Sequence, residues 1–261
     1  MTGTERIEAA FAARDGKAAL MPYLMACYPD EATSIEIGMA CADAGADLVE
    51  LGIPYSDPLA DGPVIHAAAT AALDSGATVV GALRVATALG DRIPVVVMCY
   101  ANLVMTMGWD AFAEQLIQAN ACGLICPDLP LEEAPEALAA LDARGLALVP
   151  LVAPTTPDSR LADIGERARG FLYTVSVAGT TGEREGIAPG VGDVVARAKA
   201  STSVPVAVGF GISTPEQAAG TADAGADGVI IGSRLVRAAG ESDDPAEAVG
   251  AAVAEFAAAL R

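Results

Sequence analysis

The chain has 261 residues, long for one ordinary domain but within the span of a single α/β barrel of about 250. Its 53% hydrophobic and 19% charged composition excludes wholesale disorder. A net charge of −19, from 34 acids against 15 bases, excludes a general nucleic-acid surface, which needs a basic stripe, and requires that any anionic substrate be held by local backbone dipoles.

The N-terminal MTGTERIEAA carries acids and no apolar core, unlike a secretory signal. The longest apolar runs, such as Pro94–Tyr100, fall far short of the roughly 20 apolar residues that span a bilayer. No membrane association and a cytosolic address are expected. Near-continuous apolar segments predict eight strands: Ala19–Cys27, Asp47–Ile53, Pro94–Tyr100, Gly123–Leu129, Ala147–Ala153, Phe171–Val177, Pro205–Gly211 and Gly228–Ser233. Ala-rich amphipathic stretches lie between them. TPEQAAGTADAGA (214–226) has Thr214 as N-cap, Pro215 at the first helical position and Glu216 in the first turn. GWDAFAEQLIQANA, LEEAPEALAALDARG and TPDSRLADIGERAR read the same way, with Gly145 and Gly170 as stops. Eight strand–helix repeats without a linker predict one α/β domain over 1–261, a (β/α)8 barrel with a short N-terminal helix. The five cysteines, 27, 41, 99, 122 and 126, are odd in number and lie mostly in apolar runs without a CxxC, so buried thiols and no metal site are expected.

An internal repeat sharpens this reading. ADAGADLVELG (42–52) and ADAGADGVIIG (222–232) share seven of their first eight positions and both end in Gly, as two units of one barrel should. Glu50 falls where the second copy has Ile230. A carboxylate thus replaces a hydrophobe at a strand end, with no Lys or Arg within thirty residues to offset it. Barrel enzymes keep catalytic groups at such ends. The alternative is an outward side chain snorkelling between helices.

Gly-rich turns follow the last three strands: GTTG (179–182), GFGIS (209–213) and GSR (232–234). Loops after strands seven and eight commonly bind phosphate in these barrels. Gly209, Gly211 and Gly232 let backbone approach such a group, and Ser233 opens a helix whose dipole attracts it. Ordinary tight turns remain the alternative.

With ELGIPYSDPLADGP (50–63), YANL (100–103), CPDLP (126–130), YTVSVAGTTG (173–182) and GFGIS in that order, the chain resembles the tryptophan synthase α subunit family from about residue 19 to 236. The resemblance implies a TIM barrel of the phosphate-binding type. It also implies cleavage of indole-3-glycerol phosphate to indole and glyceraldehyde 3-phosphate without a cofactor, and a β subunit as partner in an α2β2 complex. On the family's pattern Glu50 is the general acid/base, Asp61 the carboxylate that holds the indole nitrogen, and Tyr173 the active-site tyrosine. Glu50, in an apolar barrel, is expected to have a raised pKa, and Asp61 to stay ionised. Tyr23, Met98, Tyr100, Ile125 and Val152 fall at barrel-mouth positions where the indole would pack, plain core filling being the alternative. Phe210 lies in the phosphate-binding GFGIS turn. Thr181 and Gly182 belong to loop 178–190, which in the family closes over substrate, with Thr181 orienting Asp61. Asp57 and Asp128 match positions near the β-subunit interface, with surface solvation as the alternative.

The first strand departs from the family: Met25, Cys27 and Tyr28 stand where a Thr and a Gly-led pair are usual. GTTG replaces the family's frequent GVTG. His66, the single histidine, replaces a usual Gln and reads as a helix residue rather than a base. Two other functions are weighed. The synthase that makes indole-3-glycerol phosphate needs a strand-end lysine, and Lys17 and Lys199 are the only lysines, neither in an apolar strand. An idle barrel kept to activate a β partner would not need Glu50, Asp61 and Tyr173.

Overall fold

In the computed structural model, the residues described are 1–175, 190–209 and 211–261. Nine parallel strand segments form the sheet: β1 (Ala19–Met25), β2 (Val49–Gly52), β3 (Val95–Met98), β4 (Gly123–Ile125), β5 (Ala147–Val149), β6 (Leu151–Val152), β7 (Leu172–Val175), β8 (Val206–Gly209) and β9 (Gly228–Ile231). Their spatial order is β5-β4-β3-β2-β1-β9-β8-β7-β6. Segments β5 and β6 are the two ends of that order and also consecutive in the chain, parted only by Pro150. They are one barrel strand, so the eight-stranded barrel closes through the backbone itself. Ala147–Ala153, expected as a single strand, is split because proline has no N–H to donate to a ladder.

The other strands begin within two residues of their expected starts, and β1, β2, β3, β4 and β9 stop one to four residues early. Cys99, Tyr100 and Cys126 stay buried beyond the last rung. Burial continues past the ladder because the loops at the barrel mouth fold over these residues.

Side-chain alternation sorts the wall into two packed layers. Val49, Leu51, Val95 and Val97 face outward against Ile37, Val85 and Leu89 of the covering helices. Met21, Tyr23, Val96, Met98, Ile125, Phe171, Tyr173 and Ile230 fill the interior. The N-terminal helix Gly3–Ala12, started by a Thr2–Glu5 capping box, contributes Ile7 and Phe11 to this interior cluster. Phe11 lies 5.9 Å from Phe171, centroid to centroid.

The repeat has a physical basis. Gly45 and Gly225 take φ of +101° and +99°, ending helices Glu31–Asp43 and Pro215–Asp223. The Asp two residues on then ties down the neighbouring strand. Asp47 Oδ2 accepts from Leu20 N at 2.7 Å, and Asp227 Oδ2 from Val206 N at 2.9 Å. Arg14 and Lys199 pair with these carboxylates at 3.6 and 2.8 Å.

The helix starting at Pro215 has Thr214 as N-cap, as its sequence predicts, and a capping box completed by Gln217. Gly145 and Gly170 have φ of +65° and +73°, suited to their place after helices Pro135–Asp142 and Asp158–Arg167. All five cysteines are buried free thiols. Among the described residues, no single helix is long and apolar enough to cross a membrane.

Candidate active site

Glu50 points into the barrel. It is 1% exposed, and its register partners Tyr23 on β1 and Val96 on β3 both belong to the interior cluster. Ile230, its counterpart in the repeat, lies in the same cluster, so the outward alternative is excluded. Burial, and then the negative charge of Asp61, push the Glu50 carboxyl up to about 8. Glu50 therefore holds its proton near neutral pH. Its Oε2 has no hydrogen-bond partner among the described residues.

Asp61 sits in the loop between β2 and helix Pro63–Asp74. Burial raises its pKa, while a hydrogen bond from Tyr100 and the nearby His66 act in the opposite direction. Tyr100 thus does more than line a pocket. Its hydroxyl accepts from Ala60 N at 3.0 Å and donates to Asp61, fixing the carboxylate and the loop that carries it. The Tyr100 ring stacks on Tyr55 with centroids 5.1 Å apart. His66 is an exposed residue of helix Pro63–Asp74, in keeping with its reading as a helix residue.

Tyr173 is 5% exposed and enters from β7. After burial, Glu50 is the charge that most raises its pKa, followed by Tyr23 and Asp61, so the tyrosine keeps its proton. Its hydroxyl occupies the space that a Cβ on Gly209 would need. Gly209 is therefore required by Tyr173, a need the phosphate reading does not supply. Tyr23 and Gly52 repeat this arrangement on the other side of the barrel. Gly52 escapes the sequence reading, although its identity with Gly232 in the repeat is a visible signal.

Met98 and Ile125 are buried in the same interior cluster. Gly211 has φ of +81°, a left-handed conformation open to glycine. Gly232 is the N-cap of helix Ser233–Glu241, its carbonyl accepting from Leu235 N and Val236 N at 2.9 and 3.1 Å. The first N–H groups of that helix, beginning with Ser233, have no partner within the helix and form an anion-attracting end. Thr181, Gly182 and Phe210 lie outside the described residues, as do the GTTG turn and most of loop 178–190.

Asp57 is exposed and accepts from Ser56 Oγ at 2.7 Å. Asp128 has a structural task besides any surface role. Its Oδ1 accepts from Ala101 N at 2.8 Å and from Cys126 Sγ at 3.4 Å, securing helix Ala101–Met105 beside Tyr100. In the first strand, Met25 is buried in the barrel interior and Cys27 takes φ of +59°, where glycine is favoured.

A buried protonated carboxyl, a second carboxylate held by a tyrosine, and a helix start open to an anion share one end of this barrel. Together they define an acid–base enzyme of the α/β-barrel class. The family profile described as tryptophan synthase alpha chain matches residues 10–261. The tryptophan synthase alpha chain of Prochlorococcus marinus (strain MIT 9313) is 50% identical over 225 residues, 85% of this chain and 82% of that one. A structure of Mycobacterium tuberculosis tryptophan synthase superposes with a TM-score of 0.92 at 40% identity, covering 98% of both chains. One chain of the Pyrococcus furiosus tryptophan synthase a2b2 complex superposes with a TM-score of 0.83 at 33% identity, covering 92% of this chain and 97% of that one. The chain belongs to the tryptophan synthase alpha chain family.

Proposed function

We propose that this chain, acting as a single domain, cleaves indole-3-glycerol phosphate to indole and glyceraldehyde 3-phosphate by carboxylate acid–base catalysis. Direct scission would leave a carbanion on the indole, a poor leaving group. Glu50 instead gives its proton to indole C3, making an iminium that accepts the electrons of the breaking carbon–carbon bond. The ionised Glu50 then takes the proton of the adjacent glycerol hydroxyl as that carbon becomes the aldehyde, which returns Glu50 to its acid form. Asp61 accepts from the indole N–H, where positive charge develops, and Tyr173 packs beside the glycerol chain. Each proton transfer contributes on the order of 10²–10⁴ in rate. Gly211, Gly232 and Ser233 supply backbone N–H groups to the phosphate, compatible with the acidic surface.

The observation that carries this reading is Glu50, a carboxyl sealed inside the barrel where the repeat has isoleucine, with Asp61 in electrostatic reach. The β subunit is the partner, in an α2β2 assembly that receives the indole. Leu59 and Met105, 82% and 69% exposed, flank the loop of Asp57 and the helix secured by Asp128 and suit that contact. A cytosolic address fits a biosynthetic enzyme of this kind. The test is indole release from indole-3-glycerol phosphate, with and without a β subunit, by wild type and Glu50→Gln. Loss of activity in the variant is expected. Equal, slow rates for both proteins in both conditions would sink the assignment.

A further inference from the structure

Tyr23 has so far been only a wall of the indole pocket, yet three observations give it a second task. It is the register partner of Glu50, and both point into the barrel. Its side chain crosses from β1 to β2 and toward the mouth, placing its hydroxyl where a Cβ on Gly52 would lie. Gly52 is two residues beyond Glu50 on the same face of β2, so this hydroxyl stands about 7 Å further along the strand, on the side of the loop that carries Asp61. Burial apart, the charges acting on the hydroxyl are Asp61 first and Glu50 second, with Tyr100 after them.

We propose that Tyr23 is a positioning residue whose hydroxyl is a hydrogen-bond donor shared by Glu50 and Asp61, given to whichever of the two is ionised. Two like charges in one dry cavity repel, and a neutral donor between them stabilises either anion without adding charge. Burial keeps the Tyr23 proton in place, so the residue remains a donor and does not become a third anion. Glu50 Oε2, buried and without a partner among the described residues, is the acceptor awaiting such a donor. The catalytic consequence, which rests on the lyase reading, is an alternation. Asp61 receives the donor while Glu50 holds its proton, and Glu50 receives it after protonating indole C3. Tyr23 keeps its own proton throughout. The other groups facing this pair are Tyr100 beyond β3, which donates to Asp61, Tyr173 on β7, which faces Glu50, and His66 on helix Pro63–Asp74, which acts on Asp61.

Tyr23→Phe removes the donor and keeps the ring. The carboxyl carbons of Glu50 and Asp61 are titrated by ¹³C NMR in the wild type and the variant. Both steps of the pair should move upward by about one pH unit, the size of a hydrogen bond to a charged group. In the indole-release assay both limbs of the kcat/KM profile should move with them, and kcat should fall about tenfold with KM little changed. Gly52→Ala evicts the hydroxyl together with the end of the ring, with Tyr23 still present, and should reproduce the upward shift. In the double variant the methyl still meets the ring, whose Cζ lies 2.7 Å from it, so stability should drop further while the two titrations stay where Tyr23→Phe alone puts them. Unmoved titrations and wild-type kcat in Tyr23→Phe overturn the proposal, as does a double variant restored to the wild-type profile, which would mark Tyr23 as a packing group. If the wild type releases no indole, the lyase reading fails, while the NMR titration still decides the role of Tyr23.

Discussion

Glu50→Gln keeps the shape of the side chain and removes its ionisation, and so isolates what an acid sealed in a barrel does to stability. In the folded protein Glu50 titrates near 8 against an ordinary 4.5. Between those values the native state holds a proton that the unfolded chain has released, so stability falls as pH rises through that window. The penalty is absent below about pH 4.5, about 3 kcal/mol at pH 7, and approaches about 5 kcal/mol above pH 8, at 1.36 kcal/mol per unit of pKa difference. Glutamine carries no such penalty. At pH 7 the variant should therefore melt higher than the wild type, by about 6–12 °C for a chain of this size, while activity falls by on the order of 10²-fold or more. Thermal melts at pH 5, 7 and 8 measure this, because the gap between the two proteins must widen with pH. A gap of the same size at all three values, or a variant that melts below the wild type at pH 8, would show that Glu50 is ionised or paired in the folded state and would refute the burial argument.

Tyr100→Phe removes the donor to Asp61 and the acceptor of Ala60 N. It should lower kcat/KM for indole release by about 10–100-fold and speed hydrogen exchange at the Ala60 amide. Gly209→Ala drives a methyl group into the Tyr173 hydroxyl and ring edge; a loss of about 1–3 kcal/mol is expected in denaturant unfolding, only partly recovered in the double variant with Tyr173→Phe, because Cζ and Cε1 would still lie 2.8 and 2.9 Å from the methyl. Asp227→Ala strands the Val206 N–H and leaves Lys199 only the Gly225 carbonyl, so it should destabilise by about 1–3 kcal/mol while leaving KM for indole-3-glycerol phosphate unchanged.

The barrel and its central carboxyl were legible in the sequence because both are written locally. Apolar runs mark the strands, and the repeat supplies a control in which Ile230 tells which way position 50 must point. The strand ends were not legible, since burial outlasts the ladder: Cys99, Tyr100 and Cys126 are apolar and enclosed but leave the sheet. Pro150 did carry a signal, the missing N–H, that a run of flanking hydrophobes obscured. Contacts between distant segments were invisible. Tyr100 meets a loop 40 residues earlier, and Asp128 reaches back 27 residues to Ala101. Gly209 shows a different limit. Its composition suits both close approach to a phosphate and room for a tyrosine, and only the packing reveals the second need.

The split at Pro150 has a mechanical consequence. The wall consists of two arcs, β1 to β5 and β6 to β9, joined on one side by the β1–β9 ladder and on the other at Pro150, where one strand pairs with β4 through its first half and with β7 through its second, Pro150 O accepting from Tyr173 N at 3.0 Å. Glu50 and Asp61 ride on the first arc, while Tyr173, Gly211, Gly232 and Ser233 ride on the second. A molecule held by its ring at one end and its phosphate at the other spans both arcs and acts as a cross-brace. On the proposed lyase reading, the bound substrate is then also a clasp across the Pro150 seam during the interval in which the protons move.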